Sequence, residues 1–401
     1  MKNKISIKLF IIVLSLLLFD ISIGKELKKI QTNVNPEVYI FTNDIKLKHT
    51  PIKDQYKSNT CWAFATISFL ESELLRMDKG EFDLSEMYVV RNVYPQKALL
   101  YIRNHGNANF GEGGQSHDVI KTIKRYGIVS ETIYPGLQKG ENRHDHSELY
   151  AVLKSMLDAV LSNKNNKITP LWQVAFESII DIYLGKPPQK FDFNRKSYTP
   201  QSFVNDVLQL NLDDYIEITS YGFYSFYKKI NLQIPDNWDH DSNYINVPID
   251  DMEAIVDYAI KNGYTVIWDG DVSEKEFSTK TLGYAVVPIK SWEEKKLAEQ
   301  QTAITTPEEE KQIAQQLRDD TFNNFTTTDD HLMHIIGLAH DQKGTKFYLI
   351  KNSSGPDRKY EGYVYLSRSY FRLKTIAITV NKKAIPEEIY AKIHSFNPNP
   401  N

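Results

Sequence analysis

Gln55-Tyr-Lys-Ser-Asn-Thr-Cys61-Trp-Ala-Phe-Ala-Thr-Ile-Ser-Phe-Leu-Glu-Ser-Glu-Leu-Leu-Arg-Met77 is the stretch on which the reading of this 401-residue chain turns. Phe64, Ile67, Leu70 and Leu74 recur at three- and four-residue steps, so the segment predicts a helix with one apolar face that must pack on a core. Ser58-Asn-Thr60 precedes it with side chains that can cap a helix start. Cys61 therefore falls in the first turn, where free N–H groups and the positive end of the helix dipole favour a thiolate. It is the only cysteine in the chain.

The composition frames that thiol. Hydrophobic residues make up 41% and aromatics 12%, enough for a large core and one or two globular domains. Lys and Arg total 48 against 51 for Asp and Glu. That balance gives no field for capturing nucleic acid or an anionic membrane, so neither is expected as a partner. The N-terminus runs from basic (Met1-Lys-Asn-Lys4) through an apolar stretch (Leu9 to Phe19) to small residues (Ser22-Ile-Gly24), the order of a secretory signal. The apolar stretch is short for the roughly 20 residues of a spanning helix, so export to the periplasm or medium is expected, with no stable membrane insertion after cleavage. An exported chain with one cysteine has no internal disulfide, and its lone thiol calls for an explanation of its own.

Outward from Cys61, helices are expected around Ser116 to Tyr126, Ser147 to Ser162, Pro170 to Leu184, Pro200 to Leu210 and Asp250 to Asn262. Tyr264 to Trp268 reads as a buried strand, and Thr306-Pro-Glu-Glu-Glu310 as a helix start within a charged insertion spanning 292–328. From His331 the pattern turns to strands: His334 to His340, Phe347 to Lys351, Tyr363 to Leu366 and Ile376 to Val380. The expected organisation is a signal over 1–24, a helical lobe with the thiol and insertions over 25–250, and a β-rich lobe with a C-terminal tail over 251–401.

A reactive thiol needs a base, usually histidine, and the histidine needs an orienting partner. Taking Gln342-Lys343-Gly344 as a three-residue hairpin loop pairs Asp341 with Thr345 and His340 with Lys346. Continued without interruption, the ladder sets His334 opposite Asn352 and His331 opposite Gly355. On this register His334 alone gains an amide that can hold its ring. The backbone N–H of Cys61 is one candidate oxyanion donor, and the Gln55 side chain is another, although spacing alone does not separate Gln55 from an ordinary solvated glutamine. His144-Asp-His146 lacks further spaced ligands and reads as solvated loop rather than a metal site. Tyr221-Gly-Phe-Tyr-Ser-Phe-Tyr227 reads as packing surface.

Gln55 followed six residues later by Cys61-Trp62-Ala63-Phe64 resembles the nucleophile motif of the papain family of cysteine peptidases. His334-Ile-Ile-Gly337 and Tyr348-Leu-Ile-Lys-Asn352-Ser-Ser-Gly355 resemble its histidine and asparagine segments, in the same chain order. The long central section, Ile234-Pro-Asp-Asn-Trp238 and Val266-Ile-Trp-Asp-Gly-Asp271 are similar to the bleomycin hydrolase and aminopeptidase C branch, over roughly residues 38–388. The resemblance implies an α+β fold of two lobes, helical and β-barrel-like. It implies Cys61 as nucleophile, His334 as acid and base, Asn352 as its orienter and Gln55 as oxyanion donor. It also implies Gly113 and Gly114 as a cleft wall that substrate backbone approaches. Peptide substrates, no metal or organic cofactor, a homo-oligomer such as a hexamer, and aminopeptidase action through a C-terminal arm in the cleft follow from the same likeness. The alternatives are an endopeptidase, or a weakened or inactive papain-fold protein that binds peptides. Ser354 departs from the pattern, since the family usually has a tryptophan there that covers the His–Asn hydrogen bond.

Overall fold

The computed structural model describes residues 38–396 apart from 138–139, 165–166, 280, 293, 298–299 and 301–305. The expected signal over 1–24 and the tail beyond 396 lie outside the described residues. The first lobe is helical: α1 (Cys61–Arg76), α2 (Glu86–Arg103), α3 (Ser116–Tyr126), α4 (Ser147–Leu161) and α5 (Leu171–Leu184). No Gly or Pro interrupts α1, and Cys61 through Leu74 are all buried, so it packs all round rather than along one stripe. At the start of α2 the Ser85 side chain accepts the Tyr88 N–H, and the helix carries Pro95 in its interior. Pro200 to Leu210, expected as one helix, is a single α-turn (Pro200–Phe203) followed by a π-turn (Val204–Leu208).

The second lobe is an eleven-stranded sheet. Its strands are β1 (Phe41–Lys46), β2 (Tyr215–Thr219), β3 (Lys228–Ile230), β4 (Tyr244–Asn246), β5 (Val266–Gly270), β6 (Phe277–Ser278), β7 (Tyr284–Ala285), β8 (His331–Asp341), β9 (Lys346–Lys351), β10 (Tyr363–Ser367) and β11 (Thr375–Asn381). They run in the order β3-β4-β2-β11-β5-β8-β9-β10-β7-β6, with β1 added on β8. The two lobes and the α+β class are as expected, but the sheet is open, its end strands unpaired with each other. The boundary expected at residue 250 does not coincide with the lobe, because β1 through β4 come from earlier residues and pair into this sheet.

Thr306 to Glu310, expected to start a helix, is not helical. Glu310 bridges to Pro288, and its carboxylate accepts the Val287 N–H at 2.8 Å and the Ser367 hydroxyl. The helix of that region, α7 (Gln315–Asn323), follows α6 (Ile249–Lys261), which matches the helix expected there.

Alternation along β5 and β8 divides the apolar residues between two cores. Ile267 and Leu332 join the helical lobe's core with Cys61 and Trp62. Val266, Trp268 and Met333 pack on the opposite face with α6 and with Ile389 and Ile393 of α8 (Glu387–Phe396). Cys61 thus sits where the first lobe meets the sheet.

Candidate active site

Cys61 opens α1 with 8% of its surface exposed. Burial pushes its thiol up to about 12; a backbone hydrogen bond from Leu332 works against that shift, and the charges of Asp236, Asp269 and Asp329 add to it. The sulfur therefore lies beside the backbone of the residue that follows His331. The Trp62 indole donates to the Glu112 carbonyl at 2.9 Å and ties α1 to the glycine-rich loop.

The hairpin register starts as expected, with His340 opposite Lys346, but a bulge between Ile335 and Gly337 shifts it. His334 consequently pairs with Lys351, not Asn352. A one-residue slip changes which face every later residue presents. The expected His334–Asn352 pair does not form, and His331 takes its place: its Nε2 lies 2.8 Å from Asn352 Oδ1. That oxygen also accepts the Ser353 N–H at 2.7 Å, so it is the acceptor and His331 Nε2 the donor, which leaves Nδ1 as the basic nitrogen. Burial lowers the His331 pKa from its ordinary value, partly offset by Asn352.

His334 is fully buried. Ser68 Oγ accepts from Lys351 Nζ at 2.7 Å and donates to His334 Nδ1 at 2.9 Å, and among the described residues no partner meets His334 Nε2. Burial, then the Lys351 and His49 charges, holds this ring neutral, with a pKa well below the ordinary range. A ring that cannot take up a proton or meet solvent is no base. One signal was available: His334 lies inside the apolar run from Leu332 to Ala339, whereas His331 stands at its polar edge.

Gln55 is tied to the same segment. Its backbone N–H donates to the Ser353 carbonyl at 2.9 Å, and its Oε1 accepts the Ser353 hydroxyl at 2.9 Å, which leaves Nε2 to donate elsewhere. Gly113 and Gly114 have a structural reason for lacking a side chain. A Cβ on Gly113 would lie 2.0 Å from Asp236 Oδ2, and one on Gly114 would lie 3.1 Å from the Trp62 ring. Beside His331, Ser354 borders an open cleft of about 400 Å³ with Asn352, Val272 and Phe277.

The His144–His146 pair is not solvated loop as expected. His146 is buried, and among the described residues neither of its ring nitrogens nor His144 Nδ1 has a partner. Burial is the main cause that takes each ring down to about 4. Elsewhere, His117, Asp239 and Asp241 converge closely enough to hold a metal, but Lys121 Nζ lies 2.6 Å from both aspartates and already supplies the cation. The aromatic segment divides as packing predicts, with Tyr221 buried and Phe223 exposed.

The crystal structure of PepW from Lactobacillus rhamnosis HN001 shares this fold, with a TM-score of 0.68 and 19% identity, covering 90% of this chain and 86% of that one. Aminopeptidase G of Lactobacillus delbrueckii subsp. lactis is 22% identical over 375 residues, 84% of this chain and 82% of its own. Human bleomycin hydrolase is 22% identical over 405 residues, 88% of this chain and 85% of its own. The pattern described as "Peptidase C1-like family" matches residues 102–400, more than half of the chain and including His331 and Asn352; Cys61 and Gln55 stand before it. On that match the chain belongs to the Peptidase C1-like family.

Proposed function

We propose that this chain is a cysteine peptidase that removes residues from the amino terminus of peptides. The observation that carries the reading is the His331–Asn352 hydrogen bond, with the backbone of the next residue, Leu332, meeting a buried thiol at a helix N-terminus. His331 Nδ1 takes the Cys61 proton as the sulfur attacks the scissile carbonyl and an S–C bond forms. The Cys61 N–H and Gln55 Nε2 donate to the oxyanion. His331 then returns the proton to the leaving amine as the C–N bond breaks. The same nitrogen draws a proton from water, which attacks the thioester, and the carboxylic acid leaves as Cys61 regains its proton.

Aminopeptidase action is supported by the names of the relatives, among them aminopeptidases G, W and C. Comparing hydrolysis of free and N-acetylated peptides, with and without residues after Ser395, tests it; preference for the acetylated peptide by the intact chain would sink it. A thiol-directed acyl-enzyme mimic separates a peptidase from a silent peptide-binding protein, in which Cys61 would react no faster than a free model thiol. Export after removal of residues 1–24 belongs to the same proposal and is checked by finding a mature N-terminus near Lys25. Assembly into a homo-hexamer is checked by light scattering of the full chain.

A further inference from the structure

Asp269 lies on β5 directly opposite Leu332 of β8, the residue whose backbone reaches the Cys61 sulfur. It shares its strand face with Ile267, which packs in the helical lobe's core, so the carboxylate looks toward α1 rather than away from it. Only 2% of Asp269 is exposed, and among the described residues no donor meets either carboxyl oxygen with good hydrogen-bond geometry, although the Asp329 and Gln115 side chains lie near enough to act on it. Two half-buried carboxylates join it from other segments. Asp329 precedes β8, accepts the Gln115 side-chain amide at 3.2 Å and receives the Asp236 N–H at 3.3 Å. Asp236 fills the space that the missing Gly113 side chain leaves, and Asn109 Nδ2 lies 3.4 Å from its Oδ1.

Three acids therefore meet at the Gly113–Gln115 loop, beside the nucleophile. A buried carboxylate costs several kcal/mol unless a cation or a set of donors meets it. The cation that acts on Asp236 is Lys97, whose Nζ is engaged by the carbonyls of Gly111 and Gly113; Asp269 and Asp329 are not among the groups that chiefly shift it. Among the described residues no ion pair reaches Asp269 or Asp329.

We propose that Asp269, Asp329 and Asp236 bind the amino-terminal ammonium of the peptide substrate. The inference rests on the peptidase reading above and adds to it the group that reads the free terminus. An ammonium carries three donors, and the three carboxylates come from three separate segments. The charge balance agrees. Burial first, then the neighbouring Asp329 and Asp236, holds Asp269 well above the usual carboxylate range, and Asp329 is raised to about 7, chiefly by burial and then by Asp236. Both shifts are what a bound cation reverses. Negative charge on these acids also opposes ionisation of Cys61, so an ammonium that pairs with them lowers the cost of forming the thiolate.

The test uses the full chain and its Asp269→Asn and Asp329→Asn variants. The substrates are an alanyl coumarinamide with a free amine, its N-acetyl counterpart, and an N-acetyl lysyl coumarinamide. The ratio of kcat/KM for free over acetylated alanyl substrate should fall about 10- to 100-fold in each variant, mostly through KM, as loss of a charge-assisted hydrogen bond predicts. An unchanged ratio in both variants overturns the proposal. A fall confined to the lysyl substrate also overturns it, by moving the site to a side chain. Should the variants fail to fold, competition in the wild-type chain decides: alaninamide must inhibit and N-acetylalaninamide must not, and equal behaviour of the two overturns the assignment. Loss of hydrolysis on alkylating Cys61 is measured alongside. If that coupling fails, the peptidase reading fails; if it holds without amine preference, only the ammonium site does.

Discussion

His331 and Asn352 are joined by a 2.8 Å hydrogen bond across the β8–β9 hairpin, while His334, three residues along the same strand, is bonded to Ser68 inside the protein. The difference is one of exchange with substrate and solvent. His331 is partly exposed at the start of its strand and keeps one nitrogen for proton transfer, whereas His334 is enclosed between α1 and Lys351.

Exchanging the two histidines one at a time separates the roles. His331→Ala should lower kcat/KM by about a hundredfold to ten-thousandfold, the range of a lost general base. His334→Gln should leave a folded, hydrolysing protein that is less stable by about 1 to 3 kcal/mol, the cost of disturbing a buried hydrogen bond. Steady-state kinetics beside urea unfolding decides between them. Loss of hydrolysis in His334→Gln at retained stability would return the proton-transfer role to His334.

Asn352→Ala removes the acceptor that fixes the His331 tautomer. The expected outcome is a 10- to 100-fold loss in kcat with little change in KM, since the ring is released but the substrate contacts remain. Equal loss in KM would mean that Asn352 touches substrate.

The register behind these assignments depends on Gly337. A Cβ there would lie 2.1 Å from the Ile45 carbonyl oxygen of β1, so Gly337→Ala should cost about 1 to 3 kcal/mol by overpacking and loosen β1 from β8. Urea unfolding, with hydrogen exchange of the β1 amides, reads both effects.

That contact also explains what the sequence made legible and what it did not. Cys61 falls at the helix start where the periodicity puts it, whereas Gln55 and Asn352 stand out only by resemblance, and Asn352 meets His331 rather than His334. An unbroken ladder counted from the 342–344 loop selects His334. The bulge that breaks the count lies where β1, some 290 residues earlier in the chain, comes to pair, which no short-range pattern records. Two other elements were hidden for different reasons. Pro95 disguises α2, which tolerates it in mid-helix, and Glu310 carries the charge of a surface helix start while its carboxylate is held by buried partners. The acidic cluster was invisible because Asp236, Asp269 and Asp329 are brought together only by the fold.

The buried histidine pair gives the fold an acid-sensitive point. His146 is neutral when folded, its pKa taken to about 4 by burial and then by His144. Unfolding restores an ordinary imidazole near 6.5, so below that pH the unfolded chain binds more protons and stability falls as pH drops toward 4. The full effect is roughly 3 kcal/mol between pH 7 and pH 4. His146→Phe should therefore lose less stability than the wild-type chain over that interval, measured by urea unfolding at both pH values; parallel losses would show that the imidazole is already solvated.

Cys61 rests as a thiol in the free enzyme. Its thiol is raised to about 12, mainly by burial, while burial also lowers His331, so both the thiol and the imidazole rest neutral. Alkylation by iodoacetamide in the absence of substrate should then keep accelerating as pH rises through 8 and 9, because only the thiolate reacts. A rate that levels off near pH 6 would instead mean that the sulfur is already ionised against an imidazolium.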